Sequence, residues 1–147
     1  MEQDGKTGSG EDIFFDDWSP VVIGACIEVH RALGPGLLES AYEECVAHEL
    51  SLRGLRFERQ SPVPLEYKGI KLESGYRLDF LIEDTLVLEL KCVDRLLPVH
   101  EAQLLTYLRL KNVRVGLLLN FREALLKRGL RRLTNSPLQT SRLPAFM

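Results

Sequence analysis

Residues 76–82 read YRLDFLI and residues 86–92 read LVLELKC, so charged and apolar side chains alternate along two short neighbouring segments. A period of two is the pattern of a β-strand, in which successive side chains point to opposite faces. The three residues between the segments suffice for a hairpin turn, which would pair Ile82 with Leu86. The sequence therefore predicts an antiparallel hairpin here.

The charged side chains of this hairpin are expected on one face. The register places Asp79 opposite Glu89 and Arg77 opposite Lys91, and directly opposed like charges destabilise a sheet. A divalent cation between the two carboxylates would offset their repulsion, so this face has the character of a metal site. The other face is predicted to be an apolar wall made of Tyr76, Leu78, Phe80, Ile82, Leu86, Leu88, Leu90 and Cys92.

Length and composition indicate one ordinary globular domain. The chain has 147 residues, of which 45% are hydrophobic and 27% are charged, and its three cysteines form no CxxC pair. No apolar run reaches the 18 or more residues of a membrane span, and the acidic amino terminus is unlike a signal peptide. We therefore expect a cytoplasmic protein without a membrane partner.

Charge is distributed unevenly along the chain. The net charge of -2 argues against a histone-like grip on nucleic acid, yet residues 1–18 hold six acids and one base, whereas residues 104–133 hold eight bases and one acid. The basic segment could contact phosphates. It could equally be a solvated helix face and strand edge, and a charge run alone favours this second interpretation.

The remaining pattern predicts helices and short strands between two tails. Residues 1–12 are expected to be a disordered or tag-like tail, residues 13–134 the domain and residues 135–147 a second tail. Helices are predicted at about 19–33, 37–53 and 100–111. Strands are predicted at 56–61, 63–67, 70–73, 76–82, 86–92 and 113–119, the first five as an antiparallel meander and the last buried on both faces. Segment 122–133 fits either a short helix plus a strand or one longer helix.

Two motifs resemble a known group of proteins. Asp79 followed by Glu89-Leu90-Lys91 resembles the PD-(D/E)XK phosphodiesterase superfamily, and Gly36, Glu39 and Tyr42 match the spacing of the GxxExxY family within it. The resemblance covers about residues 19–133. It implies a single α/β (α+β) domain with an αβββαβ restriction-endonuclease-like core, in which helices flank a mixed sheet and an extra helix precedes it.

The resemblance also implies a set of site residues. Mg²⁺ or Mn²⁺ prefers hard oxygen ligands, which Asp79, Glu89 and the backbone carbonyl of Leu90 could supply. Lys91 would act as catalytic base or electrostatic stabiliser. Glu39 would reach the site through water or bind a second ion, although alone it could be a favourable helix-dipole partner. Gln103 corresponds in position to a polar residue often found beside the site.

Other polar residues allow two interpretations each. Arg77 could pair with a carboxylate or bind substrate phosphate, and Arg131 and Arg132 could contact phosphate if the basic segment faces the substrate. His30 is expected to be a hydrogen-bonded core histidine, and Tyr42 and Tyr107 are expected to be packing residues whose hydroxyls have partners, in the manner of most buried tyrosines.

These observations favour a metal-dependent phosphodiesterase, a nuclease acting on DNA or RNA through metal-activated water. The alternative is a non-catalytic nucleic-acid-binding or protein-interaction module that retains the fold. The opposed carboxylates favour the catalytic alternative, because they lower stability and a non-catalytic module would have no reason to keep them. A homodimer or a larger assembly remains open.

Overall fold

The computed structural model describes residues 18–73 and 75–135, so the predicted tail at 1–12, and all but Asn135 of the one at 135–147, lie outside the described residues. Three α-helices form: α1 (Ser19–Leu33), α2 (Glu39–Leu52) and α3 (Pro98–Lys111). Proline in the first turn favours the starts of α1 and α3, since it lacks an N–H that would have no partner there. Gly34, at φ +78°, ends α1. All three predicted helices are confirmed to within about two residues.

Within residues 18–73 and 75–135, seven strands and one 3-10 helix accompany these helices. The strands are β1 (Phe57–Pro62), β2 (Leu65–Tyr67), β3 (Ile70–Leu72), β4 (Arg77–Ile82), β5 (Leu86–Lys91), β6 (Val115–Asn120) and β7 (Leu130–Thr134). The 3-10 helix spans Leu126–Gly129. Segment 122–133 therefore holds a short helix followed by a strand, the first of the two alternatives.

The predicted five-strand meander is wrong. The main sheet has the order β1-β4-β5-β6-β7, while β2 and β3 form a separate two-stranded sheet. Each of these two strands has three residues and most of their side chains are exposed, so they add little to the core and β1 pairs with β4 instead. β5 and β6 are parallel and joined through α3, which forms a crossover connection between them.

Helices cover both faces of the main sheet. One apolar cluster joins α1 and α2 to side chains such as Leu88 and Leu117, and a second joins α3 to Val87 and Leu118. Every residue of β6 is buried, as its apolar sequence predicts. The predicted fold class, a single mixed α/β domain with helices flanking the sheet, is confirmed.

The β4–β5 hairpin has the predicted register over its apolar half. Ile82 pairs with Leu86, and the regular ladder ends at Phe80 opposite Leu88. Leu78 is an exception, because it joins the α3 cluster instead of the predicted wall with Phe80. The strict alternation fails where β1 and β4 depart from regular geometry, with Gln60 of β1 at φ +53°.

Two expected core residues form hydrogen bonds that hold loops in place. Tyr42 is fully buried, its hydroxyl donates to the carbonyl of Gly34, and the N–H of Leu37 donates to that hydroxyl at 3.1 Å, which fastens the loop that leads into α2. His30 is buried and its Nε2 lies 2.8 Å from the carbonyl of Glu123, in the segment that follows β6. Both residues have the packing role predicted for them.

None of the helices in residues 18–73 and 75–135 combines the length and the apolar character that a membrane crossing requires.

Candidate active site

Asp79 and Glu89 take the place of backbone carbonyls where the hairpin ladder ends. The N–H of Asp79 donates to Glu89 Oε2 at 2.8 Å, and the N–H of Leu90 donates to Asp79 Oδ2 at 2.8 Å. Each carboxylate thus binds the backbone of the opposite strand. These two hydrogen bonds hold the side chains of Asp79 and Glu89 next to each other. The regular backbone pairing of β4 with β5 ends one residue earlier, at Phe80 opposite Leu88.

Burial raises the pKa of both carboxyl groups. The pKa of Asp79 rises to about 6, chiefly through burial, with added repulsion from Glu39 and Glu43. The pKa of Glu89 rises to about 8, again chiefly through burial and then through the charge of Asp79. Two neighbouring carboxylates in a buried place favour one shared proton or a cation.

Lys91 and Glu39 complete the charged group. The charge of Lys91 opposes the pKa increase at Asp79, Glu89 and Glu39, although none of the ion pairs within 4 Å among residues 18–73 and 75–135 joins it to these carboxyl groups. Glu39 opens α2 at an exposed position, and partial desolvation of its carboxyl group raises its pKa. The site therefore holds three carboxyl groups with Lys91 as a shared neighbouring cation, and sequence reasoning predicted all four residues.

Asn120 is a residue that sequence reasoning missed. It is fully buried at the end of β6, its Oδ1 accepts from the N–H of Val93 at 3.0 Å and its Nδ2 donates to the carbonyl of Val93 at 2.8 Å. Its position opposite Lys91 in the parallel ladder lets it hold the chain directly after that lysine. The one feature of the sequence that could have indicated Asn120 is its place at the carboxyl end of a buried strand, where functional polar residues of α/β sheets often lie.

Tyr107 is the second missed residue. Burial raises the pKa of its hydroxyl, and the negative charges of Glu89 and Asp79 raise it further, so these charges act on Tyr107. Its ring centroid lies 6.0 Å from that of Tyr76. Gln103 lies one turn earlier on α3 and is half-buried, and none of the hydrogen bonds among the described residues joins it to the carboxylates. Tyr107 and Gln103 thus both lie on α3, and the charges of the carboxylates act on the tyrosine.

The three candidate phosphate ligands lie apart from each other. Arg77 is exposed and donates to the carbonyl of Gln60 at 3.4 Å. Arg131 pairs with Leu118, which pairs with Glu89, so Arg131 lies in the same row across the sheet. It also approaches Glu101 at 3.4 Å. Arg132, the next residue, is directed to the opposite face by strand alternation. The structure therefore separates Arg131 from Arg132.

The oxygens of this site suit a hard divalent ion. The two hydrogen bonds to the backbone use Asp79 Oδ2 and Glu89 Oε2, and the second oxygen of each carboxylate takes no part in them. Within residues 18–73 and 75–135, no three His, Cys, Asp or Glu side chains lie close enough together to hold one ion. Two carboxylates with backbone and water oxygens are a common set for Mg²⁺, which keeps several waters.

Comparison with known proteins gives the same assignment as the motif. The model of the PD-(D/E)XK nuclease superfamily matches residues 16–133. No curated protein and no solved structure matches the chain. The family match spans most of the chain, including both strands that hold Asp79 and Glu89. The protein therefore belongs to the PD-(D/E)XK nuclease superfamily.

Proposed function

We propose that this protein is a Mg²⁺- or Mn²⁺-dependent phosphodiesterase that hydrolyses nucleic acid. The observation that carries the proposal is the pair of carboxylates, buried Glu89 and half-buried Asp79, each bonded to the backbone of the other strand. Such a pair lowers the stability of the metal-free protein, and an ion relieves that penalty. Membership of the nuclease superfamily supports the same chemistry.

The carboxylates of Asp79 and Glu89 and the carbonyl of Leu90 would hold the ion. Bound there, it would lower the pKa of a water and neutralise charge on the phosphate. The backbone N–H groups that bind one oxygen of each carboxylate fix the direction of the other oxygen. The ligands are thus preorganised by the hairpin itself, which limits the reorganisation needed during the reaction.

Lys91 would orient the attacking water, accept its proton or stabilise charge that develops on the phosphate. The charge of its ammonium acts on all three carboxyl groups, because it opposes the pKa increase of each. Glu39 would bind through a water or support a second ion, and Gln103 would contact a phosphate oxygen or a water. Lys91 is the most direct target for separating catalysis from metal binding.

Arg77 and Arg131 would contact phosphates on either side of the cut, because Arg77 lies on β4 and Arg131 on β7, with β5 and β6 between them. Arg132, also on the edge strand β7, would contact a phosphate of a nucleic-acid strand that bends past this edge of the sheet. The spacing of Gly36, Glu39 and Tyr42 supports a place in the GxxExxY group, and the lack of a cysteine pair supports a cytoplasmic location.

Cleavage of labelled DNA and RNA, single- and double-stranded, in millimolar Mn²⁺ tests the proposal. Wild type should cut at least one substrate, and Lys91→Ala should lower the rate about 10²-fold or more. Lys71→Ala, which removes an exposed lysine from β3, serves as the matched control and should cut normally.

Two outcomes would contradict the proposal. If Lys91→Ala cuts as well as wild type, the cleavage does not use this site. If wild type binds Mn²⁺ and cuts none of the substrates, the protein is instead a non-catalytic binding or interaction module that has kept the nuclease fold.

A further inference from the structure

A groove with a volume of about 560 Å³ lies between the carboxyl end of α1 and the 3-10 helix. Ligand pockets for small molecules have volumes of about 300–1,000 Å³. Its walls are mainly apolar and include Ile27, Pro35, Ala124, Leu125 and Leu126. Leu125 is 57% exposed, so part of this apolar surface is open to a ligand.

The rim of the groove is basic. Arg31, Lys127 and Arg128 line it, and no acidic residue does. Lys127 and Arg128 are exposed and form no ion pair with the described residues, while Arg31 pairs with Glu28 at the surface. An apolar floor beneath positive charge suits a ligand with a flat or apolar part attached to an anion.

Two chain segments connect the groove to the candidate site. Pro35 precedes Glu39 by four residues, and Ala124 follows Asn120 by four residues, with Asn120 paired to Lys91. Because four residues of chain span at most about 14 Å, Pro35 and Ala124 lie within that distance of Glu39 and Asn120. This upper limit corresponds to about four nucleotides at the 3.4 Å repeat of a stacked strand.

We propose that this groove binds an unpaired nucleotide of the nucleic-acid substrate, a few positions from the phosphate that is cut. The base would lie against the apolar walls, and its flanking phosphates would contact Lys127 and Arg128. Bases in a duplex are stacked and paired, so the groove would select single-stranded or frayed substrates. The inference rests on the proposed function and names its substrate class.

Fluorescence anisotropy in EDTA tests the groove without cleavage. Wild type should bind a labelled single-stranded 12-mer more tightly than the blunt duplex of the same sequence. Leu125→Asp should weaken single-strand binding about tenfold, because it removes an apolar contact and puts a negative charge in the groove that repels the flanking phosphates. Leu52→Asp, at the far end of α2 and 67% exposed, is the matched control and should bind normally.

An oligonucleotide with abasic positions separates base contacts from phosphate contacts. It should bind wild type about tenfold more weakly than the intact strand, and this difference should disappear in Leu125→Asp. Lys127→Ala with Arg128→Ala should lower the salt dependence of binding, unlike Arg109→Ala with Lys111→Ala.

The results distinguish this inference from the proposed hydrolysis. If wild type cuts in Mn²⁺ while Leu125→Asp binds single strands normally, the groove proposal is overturned and hydrolysis stands. If the variant loses single-strand binding and wild type cuts nothing, the groove stands and hydrolysis falls. Failure of wild type to bind the single strand, or binding of an acidic peptide in its place, also overturns the groove proposal.

Discussion

The two ends of the β4–β5 hairpin use the same pair of strands for different purposes. Near the turn, Phe80 and Leu88 pair in a regular ladder and both are fully buried. Beyond them, Asp79 and Glu89 replace ladder bonds with bonds from side chain to backbone. The apolar end stabilises the fold, whereas the two neighbouring carboxylates at the charged end lower the free energy of unfolding.

Truncation of the apolar end should give the largest change in stability. Leu88→Ala removes a fully buried side chain from the main cluster, so the free energy of unfolding should fall by about 2–5 kcal/mol. Asp79→Asn should leave the metal-free protein equally stable or more stable, because it removes one of two neighbouring charges. Urea denaturation in EDTA compares the two variants, and an equal loss in both would refute the contrast.

Asn120→Ala tests how the charged end is fastened to β6. The change leaves both backbone groups of Val93 without their partner in a buried place, so the free energy of unfolding should fall by about 2–3 kcal/mol. Cleavage should fall more than Mn²⁺ affinity, because the hydrogen bonds between the strands still hold Asp79 and Glu89, whereas Lys91 lies closest to the released chain. Asn112→Ala, at the end of α3, is a suitable comparison for a merely structural loss.

The pH dependence of stability should report the two carboxylates directly. Their pKa values rise from 3.8 to about 6 and from 4.5 to about 8, so between about pH 4 and pH 8 the folded protein binds more protons than the unfolded chain. The free energy of unfolding should therefore fall as pH rises through this window when no metal is present.

Asp79→Asn should flatten this pH profile, whereas Glu66→Gln, at an exposed position on β2, should not. Urea denaturation at several pH values in EDTA measures both profiles. A wild-type profile that rises with pH would mean that the carboxylates are stabilised as anions by other groups.

Sequence periodicity predicted the hairpin well because its apolar half obeys simple alternation, from Ile82 opposite Leu86 to Phe80 opposite Leu88. It failed at Leu78, since alternation holds only while the backbone is regular. The meander was wrong because local patterns carry no information on which distant strand β1 will pair with.

The candidate site shows the same division. Asp79, Glu89, Lys91 and Glu39 could be found because motif spacing fixes them along the chain. Asn120 and Tyr107 act through contacts between segments that are distant in sequence, so a single chain gives little sign of them. Residues that hold a site in place are harder to predict than those that define its motif.

The smallest expected effect is the response to metal. Mn²⁺ that binds only the folded protein should raise the free energy of unfolding by about 1.4 kcal/mol at ten times its Kd, which a thermal melt detects as a higher Tm. Asp79→Asn should abolish this increase. Asp94→Asn, which removes a carboxylate whose side chain is 96% exposed, should keep it. An equal shift in all three proteins would show that Mn²⁺ acts on surface charge, and the two ends of the hairpin would then differ in stability alone.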